Sequence, residues 1–507
     1  MGGQGRSYGS QVLVFVAAAV YLGWGVWDVP LASGYTDPVR GVRPQDEALY
    51  SSISIGMAER GEWLTPRFLG RLAFVKPVMA FLPAAVFAGV FGDSLWSLRL
   101  FSVLCGAGVL TLLWRWQGWG PMLLLAANPL FFLLARRNMT DVPVLCAVVL
   151  SLYLWGKSER GAGAALAWGI LTKSVAGFIP ALFMWRVWGW KEWGRTVGLA
   201  MLLVAPWHLY QLAVNREWYW KEHVLDEHLQ WGLLTPENAA AVGHLRFYAT
   251  RAWEWDPVLA VLAPLALGFC LYRKRYVEAA WLGVSVLTLF GFGYRNTTYL
   301  LPVFAAAAAA VGAGVASSAA GGWRPGWAAA LASGGAGVAS SAAGGWRMGW
   351  GPTLGLAATA LLAARLWTGG ISHAAPEAVE PAGALAEYQA LGRKNGLIID
   401  GVADEFVATT MHLARVQYML PGDSRTLAAT NIDFAGRGII AGAGTYRGLT
   451  EPLETVLLVG SAEEMQALLD AAAGRDFLLR AERLGGLRMG ERRVLRANNG
   501  WVVALSD

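Results

Sequence analysis

The sequence predicts an all-α polytopic membrane domain of about 11–13 transmembrane helices, followed by a soluble α/β domain. The chain of 507 residues is 55% hydrophobic and only 15% charged, and it contains 26 tryptophans, a composition that ordinary soluble enzymes do not have. Several apolar runs approach the roughly 20 residues needed to span bilayer hydrocarbon. Trp501 is the only tryptophan beyond residue 370, and no later apolar run is long enough to cross. The composition therefore changes near residue 370.

The apolar runs set the expected membrane crossings. We place these near 11–27, 95–114, 119–135, 141–156, 162–172, 174–189, 197–212, 257–272, 277–293, 299–316 and 350–368. The run 77–92 is expected to lie along the surface, because twelve Lys and Arg residues then fall in inside loops and only four in short outside loops. This asymmetry predicts a cytoplasmic N-terminus and an extracytoplasmic C-terminal domain.

Two domains follow from these patterns. Residues 1–370 form the predicted membrane domain, whose main outer loops are 28–94 and 213–256, and residues 371–507 form the predicted soluble domain. The second domain has 13 Lys and Arg against 17 Asp and Glu. Short apolar runs at 396–402, 438–443, 455–460 and 501–505 alternate there with helix-like segments at 404–420 and 461–473, which predicts an α/β module.

Two further features concern packing and connections. A 23-residue tandem duplication places GAGVASSAAGGWR at 312–324 and again at 335–347. We interpret this Gly, Ala and Ser-rich stretch as an inside connection, with additional membrane-embedded helix as the alternative. The three cysteines, Cys105, Cys146 and Cys270, lie in apolar runs, which predicts packing roles and no disulfides.

Charge is scarce in this chain, so the polar groups of the first outer loop are candidate functional groups. The adjacent carboxylates Asp46 and Glu47 suit either a solvated helix start or a site where a carboxylate deprotonates a hydroxyl. Lys76, at the end of the same loop, suits either a lysine that reaches lipid headgroups or an ammonium that binds a phosphate. The residues alone leave both pairs of alternatives open.

Later outer turns add two further ionisable groups. Asp141, in ARRNMTDVP, suits either a helix cap or a cavity carboxylate. Lys173, in LTKS, lies where two short apolar runs meet and has the same two alternatives as Lys76. The predicted topology places these groups, the 215–256 loop and residues 295–299 on the outer face. Polar groups from five loops on one face predict a single site.

The second outer loop is rich in aromatic, histidine and acidic residues, as in WYWKEHVLDEHLQW. His223 and His228 are five residues apart, whereas two metal ligands on one helix face are three or four apart. A metal site at His228 is therefore an alternative with weak support. The aromatic density favours an amphipathic helix at the membrane interface.

Motifs along residues 11–310 resemble the C-type polyprenyl-phosphate-sugar glycosyltransferases, in the branch of the lipid A aminoarabinose transferases and the bacterial relatives of protein O-mannosyltransferases. Each motif is short, and the resemblance rests on their common order. The matching motifs are DEALY (46–50), the pattern Met57…Gly61…Trp63…Pro66, KP (76–77), SLRL (97–100), ARRNMTD (135–141), LTKS (171–174), APW (205–207), EHL (227–229) and TTYLLP (297–302).

The resemblance implies an integral-membrane glycosyltransferase that moves a sugar, with inversion, from a polyprenyl-phosphate donor to an acceptor hydroxyl or phosphate. Asp46 would be the base or the acceptor-orienting carboxylate, and Lys76 would bind the donor phosphate. The candidate catalytic residues are Asp46, Glu47 and Asp141, the candidate donor-phosphate or lipid ligands are Lys76, Lys173, Arg295 and Tyr299, and the further cavity candidates are Arg43, Tyr50, Arg137 and His228.

The same resemblance sets the expected partners and location. The partners are the lipid-linked sugar, a lipid, glycan or protein acceptor and the bilayer, with no nucleic acid. No cofactor is required, and a divalent cation is the weaker alternative. The expected location is the bacterial inner membrane, as a multi-pass protein.

Three positions depart from the lipid A transferases, and one other class of protein competes. Leu49 and Val75 stand where those enzymes commonly have arginine and glutamate, and Trp231 lies where an arginine often follows EHL. These departures favour a different sugar or acceptor. A flippase or transporter for polyprenyl lipids or glycolipids is the alternative function, although no long internal symmetry is visible.

Overall fold

The computed structural model describes most of the first 320 residues and short parts of the remainder. The described residues are 8–26, 45–68, 71–92, 94–234, 241–291, 295–320, 396–400, 432–433, 438–439, 456–458, 466, 470, 476–480, 487–496 and 501–505. Several predicted segments lie outside this set. They are the second copy of the duplication, the crossing at 350–368 and most of the helices at 404–420 and 461–473.

Helices predominate among the described residues up to 320. They are α1 (Tyr8–Gly23), α2 (Gln45–Arg60), α3 (Leu82–Phe91), α4 (Leu95–Gln117), α5 (Trp119–Ala126), α6 (Pro129–Ala135), α7 (Asp141–Leu154), α8 (Glu159–Gly177), α9 (Ala181–Trp188), α10 (Trp190–Tyr219), α11 (Ala241–Trp255), α12 (Pro257–Tyr272), α13 (Tyr276–Gly291) and α14 (Leu300–Ala320). A π-helical segment spans Trp220–Leu234, and 3₁₀ turns span Val78–Ala80 and Thr297–Tyr299.

The helix positions follow the predicted crossings closely. The run predicted to lie along the surface forms the 3₁₀ turn and α3, and the run predicted at 257–272 is α12. The crossing predicted at 162–172 lies in α8, and the one predicted at 174–189 comprises the end of α8 and α9. Between them, α8 has non-helical backbone angles at Lys173 and Ser174. The predicted break is therefore present, as a kink.

Length and composition identify membrane-spanning candidates among the described residues. Two helices, Leu95–Gln117 and Trp190–Leu229, are long and apolar enough to cross, and the number reaches four if two bent pairs each count as one span. The bent pairs are α8 with α9, at 110°, and Gly243–Trp255 with α12, at 118°. Five shorter apolar helices, of 10–17 residues, accompany them. The full count of about 11–13 crossings stays a prediction.

The core forms around α4 and α7, which pack against each other. α7 also packs on α8, and α4 contacts α1, α3 and α5. α4 is buried along most of its length, as expected for a helix surrounded by other helices. The three cysteines are buried and unpaired, as predicted.

Two helix starts inside this core are each capped by a side chain of their own, and the two capping side chains bond to each other. The side chain of Asn128 accepts a hydrogen bond from the Phe131 amide at the start of α6, and Asp256 accepts one from the Leu259 amide at the start of α12. Asn128 Nδ2 also donates to Asp256 Oδ2 at 2.7 Å, and both side chains are fully buried. The N-terminal amides that a helix leaves unsatisfied are thus partly satisfied away from water.

A small antiparallel hairpin, β1 (Arg67–Phe68) and β2 (Arg71–Leu72), lies beside α10. The Leu64 carbonyl just before it accepts hydrogen bonds from Trp207 Nε1 at 2.8 Å and from Gln211 Nε2 at 2.7 Å. These bonds attach the hairpin, which belongs to the predicted first outer loop, to α10. Among the described residues α10 is the longest helix.

The C-terminal part contains a five-stranded sheet. Its strands are β3 (Gly396–Asp400), β6 (Val456–Leu458), β7 (Asp476–Arg480), β8 (Arg493–Arg496) and β9 (Trp501–Leu505), in the order β6-β3-β7-β9-β8, and β4 (Ile432–Asp433) pairs with β5 (Gly438–Ile439). β3 is parallel to β6 and β7, whereas β9 is antiparallel to β7 and β8. Each of the four predicted apolar runs contains a strand, and β4, β7 and β8 lie outside those runs.

Candidate active site

Helix α2 supplies three of the candidate residues, on different sides. Successive helical residues are about 100° apart around the axis, so Asp46 and Glu47 face different surroundings. Glu47 is fully buried, whereas Asp46 is partly exposed. Tyr50, one turn further along α2, is also buried. The two neighbouring carboxylates therefore occupy different environments.

Glu47 lies in a buried ion cluster with Arg99, Arg137 and Asn138, which we call the Glu47 cluster. Arg99 donates from Nε at 2.6 Å and from Nη2 at 3.0 Å, one bond to each carboxylate oxygen. Arg137 Nη1 donates at 2.7 Å and the Asn138 amide at 3.0 Å. The side chains of Glu47, Arg99 and Arg137 are at most 1% exposed. Such bidentate, charge-assisted bonds fix α2 against α4 and the turn before α7.

The charges of this cluster do not cancel. Burial alone raises the pKa of Glu47, but Arg99 and Arg137 outweigh it and hold the pKa below its usual value. Two arginines therefore surround one ionised carboxylate. Because Glu47 has no exposed atoms, we assign it an anchoring position, and the prediction that it acts catalytically stays untested.

Asp141 and Lys173 form the second ion pair of the region. Lys173 Nζ donates to Asp141 Oδ1 at 2.7 Å, and Lys173 Nζ lies 5.4 Å from the centre of the Tyr299 ring. Lys173 reaches this position because the backbone of α8 leaves helical geometry at Lys173 and at Ser174, where φ is +38°. The kink thus directs a cation toward the start of α7.

Tyr50 connects the two groups of candidates. The Tyr50 phenol lies close to Thr140, the residue before Asp141. Burial raises the pKa of Tyr50 well above its ordinary value, and the negative charges of Asp46 and Asp141 raise it further. The phenol therefore stays protonated between two carboxylates.

Lys76 lies near both carboxylates as well. Its Nζ contacts a carboxylate oxygen of Glu227 and donates to its neighbour's carbonyl, at Val75, at 2.8 Å. Burial lowers the pKa of Lys76 to about 8, and the positive charge of Lys173 acts in the same direction, whereas Asp46 and Asp141 oppose it. At pH 7 the ammonium form still predominates. A cation that is partly desolvated in this way is suited to bind a phosphate.

A stack of histidines and tyrosine supports the segment that holds Glu227. His223 Nδ1 donates to the Phe74 carbonyl at 2.8 Å, and its ring stacks on Tyr219 and packs edge-on against His228 at 4.7 Å between centres. The described residues contain no group of three His, Cys, Asp or Glu side chains placed to hold a metal ion. His228 therefore lies next to the site as part of an aromatic stack, and the metal alternative stays untested.

Two candidates remain. Arg295 lies against α11, where a Cβ on Gly243 would be only 2.6 Å from Arg295 Nη2, so the glycine makes room for the guanidinium. Arg43 lies outside the described residues.

The sequence patterns missed two participants. Arg99 occurs in an apolar helix as part of SLRL, and nothing in its neighbourhood predicts a partner 52 residues earlier. Glu227 belongs to the EHL motif, but the motif alone does not predict its contact with Lys76. Its acidic side chain beside two histidines was the available signal.

Comparison with proteins of known sequence gives several relatives, although no family model matches the chain. The chain is 30% identical over 302 residues to the undecaprenyl phosphate-alpha-4-amino-4-deoxy-L-arabinose arabinosyl transferase of Pseudomonas aeruginosa, covering 51% of this chain and 52% of that protein. The similarly named protein 2 of Pseudomonas fluorescens is 32% identical over 214 residues, covering 35% of this chain and 36% of its own length. The chain matches about half the length of the P. aeruginosa relative, 52%.

Solved structures extend the likeness to the whole chain. The crystal structure of ArnT from Cupriavidus metallidurans bound to undecaprenyl phosphate superposes with a TM-score of 0.63 at 18% identity, covering 98% of each chain. The apo structure of the same protein gives a TM-score of 0.61 at 17% identity, again with 98% coverage of each chain. At this level of identity the likeness establishes the fold.

The fold is that of the C. metallidurans ArnT structures, and the described residues include helices long and apolar enough to cross a membrane. The relatives by sequence are named as aminoarabinose transferases. The resemblance that the motifs indicated is confirmed.

Proposed function

We propose that the protein is an integral-membrane glycosyltransferase that moves a sugar from a polyprenyl-phosphate donor to an acceptor hydroxyl or phosphate, with inversion. The observation that supports this most is that Lys76 lies within electrostatic reach of Asp46, Asp141 and Lys173, which belong to separate elements of the fold. A cation for a phosphate and carboxylates for a nucleophile are the groups that this transfer needs.

The proposed reaction needs one bond to form and one to break. The acceptor oxygen attacks the anomeric carbon, and its proton passes to Asp46 when the acceptor is a hydroxyl. The bond between that carbon and the phosphate oxygen breaks, and its electron pair leaves with the polyprenyl phosphate. Lys76 stabilises the charge that develops on the departing phosphate, because a fixed cation is most effective away from bulk water.

The other candidates have supporting roles in this proposal. Asp141 and Lys173 neutralise each other at the cavity floor, and Tyr50 and Tyr299 pack around them. The Glu47 cluster holds α2, and with it Asp46, in register with this floor. Arg295 is a second phosphate ligand in this proposal. The reaction needs no cofactor, because phosphate itself is the leaving group.

The donor class and the location are also part of the proposal. The donor is a polyprenyl phosphate such as the undecaprenyl phosphate bound to C. metallidurans ArnT, and the acceptor is a lipid, glycan or protein. The distribution of Lys and Arg supports a bacterial inner-membrane location with a cytoplasmic N-terminus. The site and the C-terminal soluble α/β domain of residues 371–507 then face outward.

The decisive experiment measures release of polyprenyl phosphate by the full chain in liposomes that contain a radiolabelled polyprenyl-phosphate sugar and candidate acceptors. We expect release by the wild type, with Asp46→Asn lowering the turnover rate and Lys76→Ala raising the KM for the donor. A matched control is Glu62→Gln, a carboxylate in the same outer loop that pairs with Arg67 at 2.7 Å. This control should leave both constants unchanged.

The alternative function, a flippase, predicts a different result. A flippase would move the labelled lipid between leaflets without releasing polyprenyl phosphate. That outcome would refute the proposed transfer, because both substitutions would then alter transport and not bond cleavage.

A further inference from the structure

The strongest unexplained contact of the site is the ion pair between Lys76 and Glu227. The Lys76 side chain is 17% exposed and that of Glu227 is 27% exposed, so water only partly screens the pair. The hydrogen bond from His223 to the Phe74 carbonyl joins the same two segments, two residues before Lys76 and four before Glu227. The pair therefore lies between two elements that are already attached to each other.

Glu227 faces a cation that the proposed function assigns to the donor phosphate. The Lys76 ammonium is thus paired with a carboxylate of the protein. A phosphate that binds Lys76 must displace this carboxylate or accept it as a close neighbour. Displacement would cost the same for any phosphate, whereas a carboxylate that stays close repels the phosphate in proportion to its negative charge.

The donor and the product differ in that charge. A polyprenyl-phosphate sugar is a phosphodiester with one negative charge. Transfer of the sugar leaves a phosphomonoester, whose second pKa is about 6, so that it carries close to two negative charges at pH 7. A site built only from cations would hold the product more tightly than the donor, and release of the product would then limit turnover.

We propose that the Glu227 carboxylate stays beside the phosphate bound to Lys76, and that its repulsion selectively weakens binding of the polyprenyl phosphate product and promotes its release. The inference rests on the proposed function, since it requires Lys76 to bind the phosphate. Glu227 is a positioning residue in this role: it acts through Lys76 and takes no part in bond formation.

The test compares the affinities of the full chain, in detergent, for polyprenyl phosphate and for a polyprenyl-phosphate sugar in the absence of acceptor. Glu227→Gln and Glu227→Ala both remove the charge. Each should bind the product about tenfold more tightly at pH 7.5, and bind the donor more tightly by a smaller factor. In steady state, each should show a lower kcat together with stronger inhibition by added polyprenyl phosphate. The matched control is Glu217→Gln, an exposed carboxylate on the same segment, which should change neither affinity.

A pH series separates this role from a structural one. Below pH 6 the product carries a single charge, so the advantage of the Glu227 variants for the product should shrink to that for the donor. A structural defect would not follow the ionisation of the ligand.

Two failures have different meanings. Product binding that is unchanged or weaker in both Glu227 variants would overturn the inference and leave the proposed function intact. If Lys76→Ala binds both lipids as well as the wild type does, then the phosphate role of Lys76 in the proposed function is wrong.

Discussion

Asp46 and Glu47 are adjacent in the chain, yet their surroundings divide them into two kinds of residue. Glu47 accepts four hydrogen bonds inside the protein, from Arg99, Arg137 and Asn138, whereas Asp46 is partly exposed beside Tyr50 and Lys76. The dipeptide indicated the start of a helix, and this much could be predicted from the sequence, since α2 begins at Gln45. The division of roles could not, because it depends on partners 52 to 91 residues away.

Removing the charge of Glu47 should destabilise the protein. Glu47→Gln leaves two buried guanidinium groups without a carboxylate, and breaking a buried pair in this way costs about 3–5 kcal/mol of unfolding free energy. The measurement is thermal unfolding of the detergent-solubilised protein. Glu62→Gln, which breaks a half-exposed pair with Arg67, should cost less than about 1 kcal/mol. Equal effects of the two substitutions would contradict the anchoring assignment.

Donor binding should weaken in alkaline solution. The lowered pKa of Lys76, about 8, means that the ammonium is mostly present at pH 7 and mostly lost at pH 9. Because the phosphate binds the charged form, the KM for the donor should rise about tenfold between these pH values. Lys76→Arg keeps its charge throughout this range and should abolish the dependence. A KM that stays constant in the wild type would show that Lys76 does not bind the phosphate.

The kink of α8 is the feature that matters most among the elements. Lys173 reaches Asp141 only because the helix is interrupted at Lys173 and Ser174. Beyond the kink, Gly177 packs directly on Gly169, where a Cβ would lie 2.0 Å from the Gly169 carbonyl carbon. The kink at Lys173 and the close contact between Gly177 and Gly169 together determine where the Lys173 ammonium lies.

A side chain at Gly177 should therefore disturb the site from a distance. Gly177→Ala must push the two halves of α8 apart, so we expect a lower unfolding temperature and a lower turnover rate, both measured on the purified protein. Gly198→Ala is the matched control, because a Cβ there meets nothing within 4 Å and alanine favours helix. Normal stability and turnover in Gly177→Ala would refute the importance of this contact.

Helix positions were more predictable than helix interruptions. Apolar runs locate α7, α12 and α13 to within a few residues, since each run has a polar or Gly boundary. The same patterns treat 119–135 as one crossing, whereas the structure divides it into α5 and α6 at Asn128. Asn128 caps α6 through the Phe131 amide and Pro129 lies in the first turn of that helix, so the Asn-Pro pair was a local signal of the division. The bond from Asn128 to Asp256 is remote in sequence and could not be predicted.

At the scale of the whole molecule, the predicted orientation is testable with cysteine labelling. The three native cysteines are buried, so an introduced cysteine should dominate the signal. In intact cells a membrane-impermeant maleimide should label Glu62→Cys, on the predicted outer face. Arg273→Cys, on the predicted inner face, should be labelled only after permeabilisation. The reverse pattern would invert the topology and move the candidate site to the cytoplasm.

The membrane part and the C-terminal part differ in how far sequence alone could describe them. Hydropathy identifies helices because a spanning segment must satisfy its own backbone hydrogen bonds, and this constraint is local. The sheet order β6-β3-β7-β9-β8 depends on pairing between distant segments. Strands such as β8, RVLR between charged neighbours, have too little apolar pattern to be recognised.

Helix α10 has helical backbone angles from Trp190 to Asn215, before the break at Arg216, which corresponds to a length of about 39 Å, whereas bilayer hydrocarbon is about 30 Å thick. Helices of excess length respond to a thinner bilayer by tilting. Trp207 and Gln211 attach the Leu64 segment to this helix, so a change of tilt would also move the loop that ends in Lys76. The acyl-chain length of the surrounding lipids thereby becomes a physical variable of the proposed transfer, which should have an optimal membrane thickness in the way that enzymes have an optimal temperature.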